Sequence, residues 1–266
     1  MFKGYDFVFD GKSSESEGLK LLSIDGTAIE FNTGIINRTV NKFKSLNSAK
    51  WRISRVSNDE PLSFPIQILF HGDGEEDYNK LNPTIDRNRL SIINHWLFSN
   101  TEYKKLRIVC DELRDMYFMA IITGGDYLYN GDEIAGFRAT VECDTIGCYE
   151  DHIVSKVSSG VNVFTLNILQ DGIYEVAPVY EITPDGSAIS VSVNEKDIDL
   201  IGVTPASTIT IDTDTYIVTS SEGDELYRNN RFSKEFPKLK WGRNYIVING
   251  TGKVKIKYSI IKEVGC

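Results

Sequence analysis

Between Asn82 and Ser99 the sequence reads NPTIDRNRLSIINHWLFS, the one segment with a sustained helical period in a chain whose other apolar runs are short. Ile85, Ile92, Ile93, Trp96 and Leu97 form one stripe, widened by Leu90, while Arg87, Asn88, Ser91 and Asn94 fill the opposite face. Asn82 suits an N-cap, and Pro83 suits the first helical position, where its missing N–H has no partner to lose. A lone amphipathic helix flanked by strands is expected to cover one face of a sheet. The pattern predicts an α+β domain over 1–145, with its helix at about 82–99, and a second body over 146–266.

The strands of the first part follow from alternation. In FKGYDFVFDG, Tyr5, Phe7 and Phe9 share one side, and the run stops at Asp10-Gly11. KSSESEG is a polar loop, LKLLSI a short strand, and FPIQILF an apolar one. After the helix, LRIVC and MYFMAIITG read as buried strands around a turn at Asp111–Asp115, followed by the alternating IAGFRATVECD. Thr123-Gly124-Gly125-Asp126 reads as a glycine turn, without the helix that a phosphate cradle needs.

Past Cys148 come HIVSKV, VNVFTLNIL, VAPVYEIT, AISVSV, STITID, TYIVTS, RNYIVIN and KVKIKYSII. Asp171-Gly172, Asp185-Gly186 and Asn249-Gly250 are read as hairpin turns between them. Strands of this length with no helical period between them imply an antiparallel sandwich, so the chain as a whole is expected to be mainly β. Charge is segregated along this half. Fourteen acidic residues face two lysines from Glu150 to Glu225, and ten basic residues face two acidic ones from Arg228 to Glu263. Such asymmetry fits strands with different neighbours, and equally fits opposing surfaces for head-to-tail assembly.

Composition excludes several functions. A formal charge of −9 and a pI near 5.0 argue against a protein held on nucleic acid by phosphate contacts. Cys110, Cys143, Cys148 and Cys266 contain no CxxC pair, and His71, His95 and His152 are scattered, so no zinc site is expected. Asp73, Glu75 and Asp77 have the early spacing of a calcium loop, but Tyr78 and Thr84 stand where that loop needs glycine and glutamate. No apolar run reaches the length of a membrane span and no leader pattern opens the chain, so synthesis in a cytoplasm without export or membrane insertion is expected. GxSxG, Walker A, GxGxxG and HExxH are all missing. Cys143 or Cys148 with His152 is a nucleophile pair by arithmetic only, and no carboxylate pair stands out as glycosidic. No catalytic, cofactor-binding or metal-binding residue is expected.

Two groups of residues remain as candidate binding elements. From Gly34 to Val56 two strand candidates, GIINRTV and AKWRISRV, carry Arg38, Lys42, Lys44, Lys50, Arg52 and Arg55 and no acidic residue. One reading is a hairpin with a solvated face. The other is an intersubunit arm, with Ile36, Phe43, Leu46 and Trp51 as its apolar contacts and charge that discourages self-pairing of its edge. The second group is Trp241 and Tyr245, which can stack on sugar rings, with Asp212 and Asp214 able to orient hydroxyls. These aromatics serve equally as core or edge residues of a sandwich.

The most specific text is FPKLKWGRNYIVINGTGKVKIKY, from Phe236 to Tyr258. Its Phe236-Pro237, Leu239, Gly242, Asn244, apolar strand, Asn249-Gly250 and basic alternating strand resemble the end of the distal tail proteins of long-tailed bacteriophages. STITIDTDTYIVTS resembles the paired strands before that phrase, and the aromatic first strand, serine-rich loop and LKLL resemble the family's opening. GFRATVECDTIGCYED resembles its passage between domains. The resemblance implies a β-sandwich with one helix that closes into a hexameric ring, single or stacked, and a galectin-like second sandwich. It implies a place in the virion at the tail tip, joining the tail tube protein to a tail-associated hub protein and receptor-binding proteins, with DNA passing through unbound. The rival function is a carbohydrate-binding module that recognises a host cell wall, and an enzyme is the third class.

Overall fold

The structure, a computed structural model, describes residues 2–22, 29–31, 38–44, 49–58, 60–70, 87–169, 175–223, 231–232 and 235–262. The described chain is mainly antiparallel β with one α-helix. It divides into two compact units, Met1–Tyr149 with Glu263–Cys266, and Glu150–Lys262.

The first unit contains β1 (Phe2–Gly4), β2 (Asp6–Phe9), β3 (Lys12–Ser13), β4 (Leu19–Leu21), β5 (Ile29–Phe31), β6 (Arg38–Phe43), β7 (Arg52–Asn58) and β8 (Ser63–Phe70). It continues with α1 (Arg87–Phe98), β9 (Lys104–Val109), β10 (Met116–Asn130) and β11 (Glu133–Cys143). The main sheet runs β3-β2-β9-β10-β11-β8-β4, with every pair antiparallel. The pairs β1–β5 and β6–β7 form separate two-stranded sheets.

Alternation puts Phe7, Phe9, Phe64, Ile66, Ile68, Phe118, Ala120 and Ile122 into one core, closed by Ile93 and Leu97 of α1. Trp96 fixes the helix. Its ring stacks on Phe7 with centroids 5.9 Å apart, and its indole N–H donates to the Phe9 carbonyl at 3.1 Å. Two expected core positions stand elsewhere. Ile92 is exposed, because at about 100° per residue it lies far round the helix from the Leu90, Ile93 and Leu97 row that meets the sheet. Tyr5 is exposed because β2 begins only at Asp6, so the alternation that buries Phe7 and Phe9 does not reach it. The expected cap at Asn82 and Pro83, Ile85, and the acidic loop at Asp73–Asp77 lie outside the described residues.

The second unit takes up β12 (Cys148–Ile168) after its first two residues, then β13 (Val179–Val193), β14 (Lys196–Ile201), β15 (Ile209–Asp212), β16 (Ile217–Ser220), β17 (Arg231–Phe232) and β18 (Gly242–Lys262). Its strand order is β16-β15-β13-β18-β12, with β14 on β13 and β17 on β14. Three pairs of expected strands are thus three long ones, and KDIDLI is a strand that the sequence reading passed over.

Asp185-Gly186 and Asn249-Gly250 are not hairpins. Asp185-Gly186 lies in the stretch where the β13–β18 ladder jumps from Pro184 opposite Gly252 to Ile189 opposite Gly250, and Asn249-Gly250 is paired with Ser190 and Ile189 just past it. Before that jump β13 pairs with β15, and after it with β14. The jump needs glycine. A Cβ on Gly252 (φ +155°) would meet the Thr183 carbonyl oxygen at 2.5 Å, and one on Gly250 (φ +121°) would meet that of Ala188 at 3.0 Å. The β13–β14 hairpin turns at Asn194-Glu195, both at positive φ (49° and 70°), a type I′ turn without glycine. Asp171-Gly172 lies outside the described residues.

Candidate docking surfaces

The Phe236–Ile246 phrase is the first place to look for a site, and its polar groups are turned inward. Asn244 is fully buried. Its side-chain oxygen accepts from the Lys240 N–H at 2.8 Å and from the Asn194 amide at 2.7 Å. Its amide donates towards the carbonyls of Lys240 (2.8 Å), Gly242 (3.1 Å) and Leu166 (3.4 Å). Asn194 completes the clasp by accepting the Tyr245 N–H at 3.0 Å. Gly242 supplies the positive φ of +83° that curls the backbone round the amide. Leu239 is buried and exchanges two backbone hydrogen bonds with Val176, at 2.8 and 2.9 Å. The buried Tyr180 hydroxyl donates to the Pro237 carbonyl at 3.0 Å, and burial pushes its pKa up. Pro237, Leu239, Gly242 and Asn244 thus close the start of β18 onto its neighbours.

Trp241 and Tyr245 flank this clasp and are both more than half exposed, at 57% and 55%. Asp212 is engaged by its own turn, accepting from the N–H groups of Asp214 (2.9 Å) and Thr215 (3.2 Å). Burial raises its pKa, those backbone donors outweigh the effect, and the carboxyl ends below its usual range. It is therefore a turn cap, and Asp214 is exposed beside it. Along β12, Ile153, Val157, Val161 and Val163 are also exposed.

In the first unit the arm candidates stand out. β6 and β7 pair with each other and with no other described strand, with a register shift between Asn41 and Lys42. Trp51 is 65% exposed and Ile53 62%, and Val40 and Phe43 are exposed as well. Ile36 and Leu46 lie outside the described residues. A two-stranded ribbon is marginal alone in water, and an exposed apolar patch on one is a candidate contact surface.

Sequence reading missed a concavity beside α1. Thr123–Asp126 is not a turn but part of β10. The register steps from Thr123 opposite Thr140 to Gly125 opposite Ala139, leaving Gly124 as the extra residue of a bulge. Gly125 is obligatory, since a Cβ there would lie 1.5 Å from the Arg138 carbonyl oxygen, whereas a Cβ on Gly124 meets nothing within 4 Å. The bulge opens a cavity of about 310 Å³ lined by Asn94, Phe98, Gly124, Asp126, Tyr127 and Arg138, among others. Phe137 forms its base, in edge contact with Phe98 (5.7 Å) and tilted against Tyr127 (5.6 Å). The Asn94 amide donates to the Tyr127 hydroxyl at 3.0 Å, and Asp126 stands opposite Arg138. The available signal was the Gly-Gly pair inside an apolar alternation, which marks a bulge.

No chemical centre assembles around the remaining candidates. Burial, then the nearby Asp144, pushes the Cys143 thiol up to about 12, far from a nucleophilic range. The Cys148 thiol is 3.3 Å from the Met116 sulfur, and His152 stacks on Tyr258 with its Nε2 3.4 Å from Glu150. Among the described residues no three His, Cys, Asp or Glu side chains gather as a metal site, and no helix is long and apolar enough to cross a membrane.

No curated protein matches the sequence. Among solved structures, the SPP1 Dit protein, described as a paradigm of the hub adsorption apparatus in phages infecting Gram-positive hosts, shares the fold. The TM-score is 0.64 at 10% identity, over 97% of this chain and 99% of that one. Dimeric latent PorU from Porphyromonas gingivalis aligns over 55% of this chain and 18% of its own at 9% identity, but its TM-score of 0.19 carries no argument. Residues 2–145, more than half of the chain, match the family described as the phage tail protein N-terminal domain, and the chain belongs to that family.

Proposed function

We propose that this phage tail protein is a distal tail protein, a non-enzymatic hub at the tail tip that closes into a hexameric ring, joins the tail tube to host-adsorption proteins and lets DNA pass. The observation that carries the reading is the extent of the shared fold, which takes in nearly the whole of this chain and of SPP1 Dit. Membership of the tail family supports it independently. The surfaces supply the means. A ring repeats one heterologous contact until it closes, and the exposed β6–β7 hairpin is the element free to reach a neighbour. Excess acidity of nine charges favours a conduit that repels phosphate over one that traps it. The ring assembles in the host cytoplasm and acts in the virion, against a tail-associated hub protein and receptor-binding proteins.

Native mass spectrometry of the full chain, with negative-stain microscopy, tests this. The expected outcome is six-fold particles that are lost when Phe43–Ser48 is removed. A protein that stays at 30.0 kDa up to high concentration and never enters tails on co-expression with other tail proteins overturns it. A second reading rests on the exposed Trp241 and Tyr245, namely that the second unit also binds wall polysaccharide. Binding to purified wall that disappears in Trp241→Ala supports it, and no binding removes it.

A further inference from the structure

We infer that the cavity beneath the β10 bulge is the receptor for the hairpin of a second copy, which seats the Trp51 indole against Phe137 between Asn94 and Asp126. This rests on the reading of β6–β7 as an intersubunit arm and adds the surface it grips.

Size comes first. At about 310 Å³ the cavity lies at the lower limit of ligand clefts, with room for one bulky aromatic side chain. Its floor is aromatic, from Phe98, Tyr127 and Phe137, and offers faces and edges to an indole. Trp51 is the most exposed aromatic side chain among the described residues, so it has the most surface to gain by burial. Seating it therefore buries apolar surface on both partners at once.

Charge points the same way. The sequence from Gly34 to Val56, which contains β6 and the start of β7, carries six cations and no anion, with Lys50 and Arg52 on either side of Trp51. The cavity's own ribbon, from Gly124 to Arg138, carries Asp126, Asp132 and Glu133 against the single Arg138, and all three carboxylates are exposed. Tyr127 and Tyr129, also exposed, present faces to a guanidinium such as that of Arg52. Knob and socket are different patches of one chain, which is the condition for a head-to-tail contact that propagates round a ring. Asn94 on α1 and the Gly124 bulge both line the cavity in the free chain, so the socket exists before anything binds.

The test replaces Trp51 with the photocrosslinker p-benzoylphenylalanine in the full chain and irradiates a mixture of isotopically light and heavy copies. The expected product joins position 51 of one copy to a 94–98 or 124–138 peptide of the other. Gly124→Trp fills the cavity at a position whose Cβ direction is open, and is expected to cut the yield about tenfold, a loss of about 1.4 kcal/mol in affinity. Hydrogen exchange of β10 and β11 in that variant verifies that the unit is still folded. An intermolecular cross-link that lands elsewhere, or a yield that survives Gly124→Trp in a folded unit, overturns the socket and leaves the arm standing. No intermolecular cross-link at all overturns both the socket and the arm.

Discussion

The β6–β7 hairpin and the β13–β18 ladder are both antiparallel pairs, yet they spend their residues in opposite ways. In the ladder, alternate residues of both strands go into a shared core, and the two glycines that let them pass are sites where a side chain would strike backbone. In the hairpin Val40, Phe43, Trp51 and Ile53 are exposed, with Lys42 and Arg52 exposed among them. The ladder is folded by what lies inside its own unit. The hairpin's exposed apolar residues pack on no core of their own unit among the described residues, and the proposed ring would give them their complement on another copy. Conspicuous sequence text and candidate contact surface therefore lie apart here, since the FPKLKWGRN phrase serves the fold and the hairpin carries no motif.

Breaking the clasp should produce the largest effect. Asn244→Ala removes one buried amide and strands partners on Lys240, Gly242 and Asn194, a loss of about 3 kcal/mol from the second unit. Hydrogen exchange over 242–262 reads it, and protection within a factor of ten of the parent would contradict the clasp. Gly252→Ala follows at about 2 kcal/mol, because its Cβ must displace the Thr183 carbonyl at an already unfavourable φ. Gly124→Ala is the contrast, expected within about 0.5 kcal/mol because that site is open. If Gly252→Ala and Gly124→Ala cost the same, close approach is not what the ladder's glycines provide.

On the hairpin the readout moves from folding to association. Trp51→Ala should leave the urea midpoint of the isolated chain within experimental scatter. It should weaken self-association by about 2 kcal/mol, the scale of an aromatic hot spot, or roughly thirtyfold in Kd by sedimentation. A variant that unfolds more easily but assembles normally would reverse the comparison and make Trp51 a packing residue.

Legibility divides along the same line. Phe7, Phe9, Ile93 and Leu97 were readable because burial imposes a period, 2.0 in a strand and 3.6 in a helix. Ile92 was misassigned because a stripe chosen by type alone was too wide. Gly124, Gly125, Gly186 and Gly250 were read as turns because a glycine at a bulge or a close approach looks the same in text as one needed for a turn. Only the pairing register separates the two uses. The Asn194-Glu195 turn was missed because its second position lacks the glycine that marks such turns in text, and the Asn194 side chain is held on β18, a contact 50 residues away. The cavity beside α1 was out of reach, since it exists only where β10, β11 and the helix meet.

Acid gives a small effect and probes a place where the ladder uses charge. Glu181 on β13 is bridged by Lys257 and, at 3.0 Å, by Lys255 of β18. The Lys257 hydrogen bond is the chief influence holding this carboxyl below its ordinary value; burial opposes it and Lys255 assists. A depressed folded pKa contributes stability that is complete above the unfolded glutamate value of about 4.3 and is lost as pH falls through the lower folded value. The urea midpoint of the second unit should therefore slope downward on acidification across that window, and Glu181→Gln should flatten part of the slope. Surface pairs of this kind contribute less than about 1 kcal/mol, so the two curves should meet at low pH and separate only slightly at neutrality. Identical slopes in the two proteins would assign the acid sensitivity to other carboxylates and leave the β13–β18 ladder held by packing and glycine geometry alone.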